Sequence, residues 1–290
     1  MISRLTRHLG SLSILLAILL SLLPALPSRG AQPPQLRDWE NPRLTGINNE
    51  PMHATMVVCP DEKTALSIGI TTNSERVKSS FYRSLNGQWK YQYVKNPAGR
   101  IADFWQPDFN DSEWKTIPVP ANVELHGYGI PIYVNIRYPW NGRPNPPFIA
   151  DDEPNATVNC YRRTFEVPAD WSGRRIFITF DGVNSFFYLW INGQKVGMGK
   201  DARTPVEFDI TKYVRPGQNL IAVENFRWCD GSYLEDQDFW RLSGIFRDVY
   251  LWSTPRLHIR DFEVKTDMEP PYTDATFSLA LKLHNWGDQP

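Results

Sequence analysis

The sequence has little of what metal centres and disulfide frameworks need. Among 290 residues there are three cysteines, Cys59, Cys160 and Cys229, and five scattered histidines, His8, His53, His126, His258 and His284. Three thiols allow one disulfide at most and leave one cysteine over, and no CxxC or Cys/His pair has metal-site spacing. The net charge is −1 and no run of lysine and arginine stands out, so the electrostatic footprint of a nucleic-acid-binding protein is missing. Long apolar runs are also missing. The longest, SILLAILLSLLPAL at 13–26, falls short of the roughly 20 residues that span a bilayer. No amphipathic helix longer than about ten residues emerges. ADFWQPDFNDSEW (102–114) is aromatic and acidic, but Pro107 interrupts it.

Aromatic residues, by contrast, are plentiful, at 13% with 11 Trp. Large amphipathic rings fill β cores or form platforms under sugar rings, and core filling is the commoner use. The N-terminus reads as a processing segment. Arg4, Arg7 and His8 precede the apolar run, and small residues near Gly30 and Ala31 offer cleavage sites. A retained N-terminal anchor is the alternative. Removing residues 1–30 deletes Arg4, Arg7 and Arg29 and no acid, which leaves a mildly acidic, exported chain, periplasmic or secreted.

Residues 31–76 open on a polar, proline-bearing stretch that reads as an extended arm. From 77 to 254 short runs alternate apolar and polar residues: QWKYQYV, YRRTFEV, RIFITF, FFYLWI, VEFDI, NLIAVENF and DVYLW. Turn residues separate them, and Asn192-Gly193 between FFYLWI and QKVGMG predicts a type I′ hairpin. An all-β jelly-roll β-sandwich is the expected fold. After Thr254-Pro255 the alternation resumes in LHIRDFEVKTD and ATFSLALKLHNW. Residues 255–290 therefore read as the start of a second β domain, because two or three strands cannot close a sandwich.

Candidate chemistry concentrates in three stretches. YLEDQDFWRLSGIFRD (233–248) sets Glu235, Asp236 and Asp238 beside Tyr233, Phe239 and Trp240. A retaining glycosidase needs two carboxyl groups about 5–5.5 Å apart, and on a strand Asp236 and Asp238 would share a face about 6–7 Å apart. The alternative is a clasp in which these acids pair with Arg227, Arg241 or Arg247 and pin a loop. RPNPPF (143–148) presents Asn145 between prolines that stiffen the backbone. Its amide suits a sugar hydroxyl, or caps its own turn. GMGKDARTPVEFD (197–209) has two glycines ahead of Asp201. That carboxylate suits sugar hydroxyls or a hard cation, or forms an Asx-turn.

At this point the chain resembles the N-terminal part of a glycoside hydrolase family 2 β-galactosidase of the large multidomain bacterial type. The resemblance rests on NPRLTGINNEPMHA (41–54), SLNGQWKYQY (84–93), VPANVELHGYGIPIYVN (119–135), NPPF (145–148), FDGVNSFFYLWINGQKVGMGKDAR (180–203) and RWCDGSYLEDQDFWRLSGIFRDVYL (227–251). It covers about residues 41–290, and the last two blocks are long and specific.

The resemblance implies a galactose-binding-like jelly roll, then an immunoglobulin-like β-sandwich, then a (β/α)8 barrel carrying both catalytic glutamates and a Mg2+ site. A barrel needs roughly 250 residues and none of it lies here, so no residue is assigned as catalytic and no cofactor is held fully by this chain. The resemblance carries two residues to the sugar site. Asn145 matches an asparagine reaching into the galactose pocket, and Asp201 an aspartate that contacts the sugar and helps bind Na+. It also reads YLEDQDFWRLSGIFRD as a structural block.

Cys229 stands where the family has a serine, and the loop from Tyr138 to Cys160 is longer, with the lead-in WNGRPNPP. The implied partners are a galactoside or oligosaccharide and the C-terminal barrel domains, with no nucleic acid and no membrane beyond export. The complete enzyme is left open to homo-oligomerisation. Two alternatives remain: a non-catalytic carbohydrate-binding or degenerate module, and a related family 2 β-glucuronidase or β-mannosidase. NPPF and the block at 180–203 favour the galactosidase.

Overall fold

The computed structural model describes residues 36–69, 72–135 and 149–287. The strands run in chain order as follows. β1 (Gly46–Ile47), β2 (Tyr82–Ser84), β3 (Gly87–Val94), β4 (Lys115–Val119) and β5 (Ile132–Val134) come first. β6 (Val158–Val167), β7 (Arg175–Phe180), β8 (Val183–Asn184), β9 (Phe186–Ile191), β10 (Gln194–Gly199) and β11 (Val206–Asp209) follow. β12 (Gly217–Phe226), β13 (Phe239–Arg241), β14 (Gly244–Ile245), β15 (Val249–Thr254), β16 (Leu257–Met268) and β17 (Ala275–Asn285) complete the set.

Two antiparallel sheets form the sandwich. One has seven strands in the order β1-β10-β9-β12-β6-β3-β4, the other four in the order β11-β7-β15-β2. This is the β-sandwich that the alternation predicts, and the apolar runs RIFITF and FFYLWI coincide with β7 and β9. The β9–β10 hairpin turns at Asn192-Gly193, whose φ values of 51° and 83° are both positive, as the turn type demands.

FFYLWI is apolar at every position because the central strand β9 is covered on both faces. Phe187, Leu189 and Ile191 enter the core between the sheets with Trp89, Tyr161, Ile178, Phe208 and Leu251. Phe186, Tyr188 and Trp190 point the other way, into a second cluster with Trp39, Phe104, Met198 and Phe226. Each such buried side chain contributes about 1.5–3 kcal/mol. The N-terminal arm supplies part of this outer cover. Trp39 stacks on Phe226 at 4.5 Å, and β1 extends the large sheet through β10. The arm is not wholly extended, since residues 62–67 form a helix capped by Asp61, which accepts from the Thr64 amide. All three cysteines are free, so the allowed disulfide does not form.

β16 and β17 pair as one long hairpin outside both sheets. A buried carboxylate helps tie its base to the sandwich. Glu207 on β11 accepts from Arg260 Nη1 at 2.7 Å, Trp252 Nε1 at 2.7 Å and Thr179 Oγ1 at 2.8 Å. His53 of the arm lies 3.5 Å from the same carboxylate, and Arg260 also donates to the Pro51 carbonyl at 2.8 Å. Arm, sandwich and hairpin thus converge on one acid.

Burial alone would lower the His53 pKa, but the Glu207 carboxylate overrides it and holds the pKa above the ordinary 6.5. Such a contact stabilises fully below pH 6.5 and is lost as pH rises through the raised value. Urea midpoints measured from about pH 6 to about pH 9 should therefore fall with rising pH, and His53→Gln should flatten that slope.

Candidate functional site

The loop carrying Asp201 leaves β10 in the large sheet and enters β11 in the small one. The two glycines before it are needed for close approach. A Cβ on Gly197 would lie 2.1 Å from the Ile47 carbonyl of β1, and one on Gly199 would lie 2.6 Å from the Phe187 ring. The loop root is thereby pressed into the sheet. Asp201 itself is exposed and adopts φ 78°, a left-handed conformation that costs a residue with a Cβ about 1–2 kcal/mol.

Both neighbours of Asp201 are locked. Lys200, 7% exposed, pairs with Asp230 at 2.6 Å and donates to the Asn41 carbonyl at 3.0 Å. Ala202 is fully buried, and its amide donates to Glu235 Oε1 at 2.9 Å. Arg203 stacks over Phe239 and Phe246, each 5.1 Å away, while Arg247 donates to its carbonyl at 2.8 Å. Asp201 uses one carboxylate oxygen to accept weakly from the Arg203 amide at 3.4 Å.

Asp230 and Glu235 come from one short stretch. A 3-10 turn, Asp230–Tyr233, begins at Cys229, whose amide donates to Ser232 Oγ at 3.1 Å. The Glu235 amide then donates to the Gly231 carbonyl at 3.0 Å. Burial raises the Glu235 pKa, with the Ala202 amide opposing and the Asp201 charge adding to the rise. Burial likewise raises the pKa of Asp236, against the pull of Arg241.

The acids of 235–238 thus do separate jobs. Asp236 forms an ion pair with Arg241, and Asp238 accepts from the Tyr133 hydroxyl. Asp236 and Asp238 do not share a strand face, because β13 begins only at Phe239 and both acids lie in the loop before it. Arg241 also donates to the Val134 carbonyl at 2.7 Å, fixing β13 to β5. Arg227 engages none of these acids. It lies 3.5 Å from Glu124 and donates to the Arg241 carbonyl at 2.6 Å. The stretch is a clasp, as one of the two sequence readings held.

Tyr133 and Trp240 face each other across the β5–β13 ribbon, 51% and 55% exposed, with ring centroids 5.6 Å apart. Behind the clasp, a cavity of about 20 Å³ bounded by Arg203, Glu235 and Phe239 has room for water and not for a sugar ring. Asp201 does not line this cavity and is open to solvent. Asn145 lies outside the described residues.

Among the described residues no group of three or more His, Cys, Asp or Glu side chains is arranged to hold a metal. Asp201 would be one oxygen donor toward a hard cation that takes several. Lys200 and Asp230 escaped the sequence reading, and Glu235 entered it as a possible glycosidase carboxyl or clasp acid and not as a partner of the Asp201 loop. The only signal for Lys200 was its place beside Asp201, and the two acids lie about thirty residues away in sequence.

Residues 82–255 match the model of the sugar binding domain of glycosyl hydrolases family 2. A curated relative named beta-galactosidase, from Priestia megaterium, is 43% identical over 252 residues, which is 86% of this chain and 24% of the relative. Another beta-galactosidase, from Vibrio vulnificus, is 44% identical over 249 residues, 86% of this chain and 23% of the relative. The chain spans about a quarter of the length of these relatives. Among solved structures, a beta-glucuronidase from an uncultured Clostridium aligns with TM-score 0.53 at 23% identity, over 70% of this chain and 33% of that one. A beta-glycosidase from Bacteroides vulgatus gives TM-score 0.53 at 22% identity, over 72% and 25%. These two share the fold.

The buried Lys200–Asp230 pair should be costly to break from one side. Lys200→Met should destabilise the chain by about 3–5 kcal/mol in urea unfolding, because Asp230 is left buried and unpaired. Adding Asp230→Leu should recover most of that loss.

Proposed function

Because this chain belongs to the glycosyl hydrolases of family 2, as their sugar binding domain, we propose that it forms the galactoside-binding part of an exported β-galactosidase. The complete enzyme hydrolyses terminal non-reducing β-D-galactosides with retention, and a barrel outside these residues supplies the two catalytic carboxyl groups and a Mg2+ site. The observation that carries this reading is the Asp201 carboxylate, exposed at φ 78° with both neighbours locked. The names of the relatives at 43% and 44% identity support galactose as the sugar, whereas the β-glucuronidase likeness rests on fold at 23%.

An ionised carboxylate accepts hydrogen bonds only. Asp201 would take bonds from two adjacent sugar hydroxyls and so read their relative orientation. Its role is binding and orientation, not proton transfer. The same carboxylate would give one oxygen to a Na+ ion beside the sugar, with the other ligands from outside this chain. Asn145, between its prolines, would add a donor and an acceptor to the pocket. Arg4, Arg7 and the apolar run at 13–26 support export, which places the enzyme where external oligosaccharides are its substrates.

Asp201→Ala in the complete gene product should lower kcat/KM for a galactoside by about tenfold to a hundredfold, the range for losing hydrogen bonds to a charged group. The unfolding temperature should fall only slightly, since Asp201 is exposed and the change costs no more than the poorer fit of alanine to a left-handed φ, about 1–2 kcal/mol at most. Unchanged kcat/KM would remove Asp201 from the site.

A further inference from the structure

We infer that Glu235 is a positioning residue for Asp201: it does not touch the sugar, but its acceptor sets the direction of the carboxylate that does. The inference rests on the galactose-binding reading of Asp201 and adds the residue that determines its geometry.

The described non-glycine residues with positive φ are mostly asparagine and aspartate, and Asn192 is an example imposed by a tight hairpin turn. Asp201 lies in no hairpin turn, and its local support is the weak Asx-type bond from the Arg203 amide at 3.4 Å. It lies in a crossover between sheets, outside any strand ladder. The two fixed neighbours therefore hold the left-handed φ together with that bond. On the N-terminal side, Lys200 is fixed by Asp230 and by the Asn41 carbonyl. On the C-terminal side, the Ala202 amide is fixed by one side-chain bond, to Glu235 Oε1 at 2.9 Å.

Releasing that amide lets Asp201 relax toward negative φ, the region that residues with a Cβ prefer. A change of that kind rotates the carboxylate away from its present direction. Reach matters as well as chemistry. Glu235 is itself held by its amide on the Gly231 carbonyl at 3.0 Å, so the side chain has one length that meets Ala202. An aspartate would stop one methylene short. A glutamine would keep the oxygen in place without the charge. The acidic stretch is thereby assigned a second purpose: Asp230 and Glu235, five residues apart, hold the two neighbours of one ligand-binding residue.

The test uses the complete gene product, a galactoside substrate, and the variants Asp201→Ala, Glu235→Ala, Glu235→Asp and Glu235→Gln. Glu235→Ala and Glu235→Asp should each raise KM about tenfold with kcat little changed, as expected when a contact made equally in ground and transition states is lost. Glu235→Gln should restore KM, and hydrogen exchange at the Ala202 amide should be fast in the first two variants and slow in the third. If Asp201→Ala has normal kinetics, the galactose reading fails whatever Glu235 does. If Asp201→Ala is impaired but Glu235→Ala is not, the positioning role is overturned and the galactose reading stands. Should Glu235→Ala not fold, the Asp and Gln variants decide, and equal KM values in those two would overturn the proposal.

Discussion

The candidate site depends on one constraint: a left-handed aspartate between two immobilised neighbours. Asp201 is exposed and holds φ 78°, so little in its own contacts keeps it there. The Lys200–Asp230 pair and the Ala202–Glu235 bond do so from either side. Several features nearby support these two contacts. Gly197 and Gly199 let the strand before the loop press against Ile47 and Phe187. The Cys229 cap starts the turn that carries both acids, and Arg241 fastens the end of that stretch to β5 through the Val134 carbonyl. A carboxylate proposed to read sugar hydroxyls gains from this kind of backing, because orientation set before binding costs no order on binding.

A second carboxylate organises the rest of the molecule. Glu207 begins six residues after Asp201, on the strand that follows the loop. Four side chains from the arm, both inner strands of the small sheet and the hairpin meet at it. Burial alone would raise its pKa, yet the bonds from His53 and Arg260 hold it below the ordinary carboxylate value. The loop of Asp201 therefore runs between two fixed points, a close-packed glycine strand at one end and a neutralised buried acid at the other.

Much of the sandwich was legible because a two-layer sheet imposes a period of two on its strands. RIFITF and NLIAVENF declared their strands, and Asn192-Gly193 declared its hairpin by a local conformational demand. FFYLWI was legible as a strand but not as one buried on both faces, since the outer cover comes from Trp39 and Phe104, far away in sequence. The acidic stretch was legible as clasp or site and not in detail. Whether Asp236 and Asp238 share a face depends on where β13 starts, and that is decided by its pairing with β5. Asp201 could be picked out from its glycines. Its partners could not, because the sheet topology, not spacing, brings Asp230 and Glu235 to it.

A crystal structure of the complete gene product with galactose bound tests the central claim most directly. The Asp201 carboxylate should lie within hydrogen-bond distance of the sugar hydroxyls, with φ still positive and the Ala202 amide still on Glu235. Galactose bound with no contact to Asp201, or Asp201 reaching the sugar only after the Ala202–Glu235 bond has broken, would contradict it.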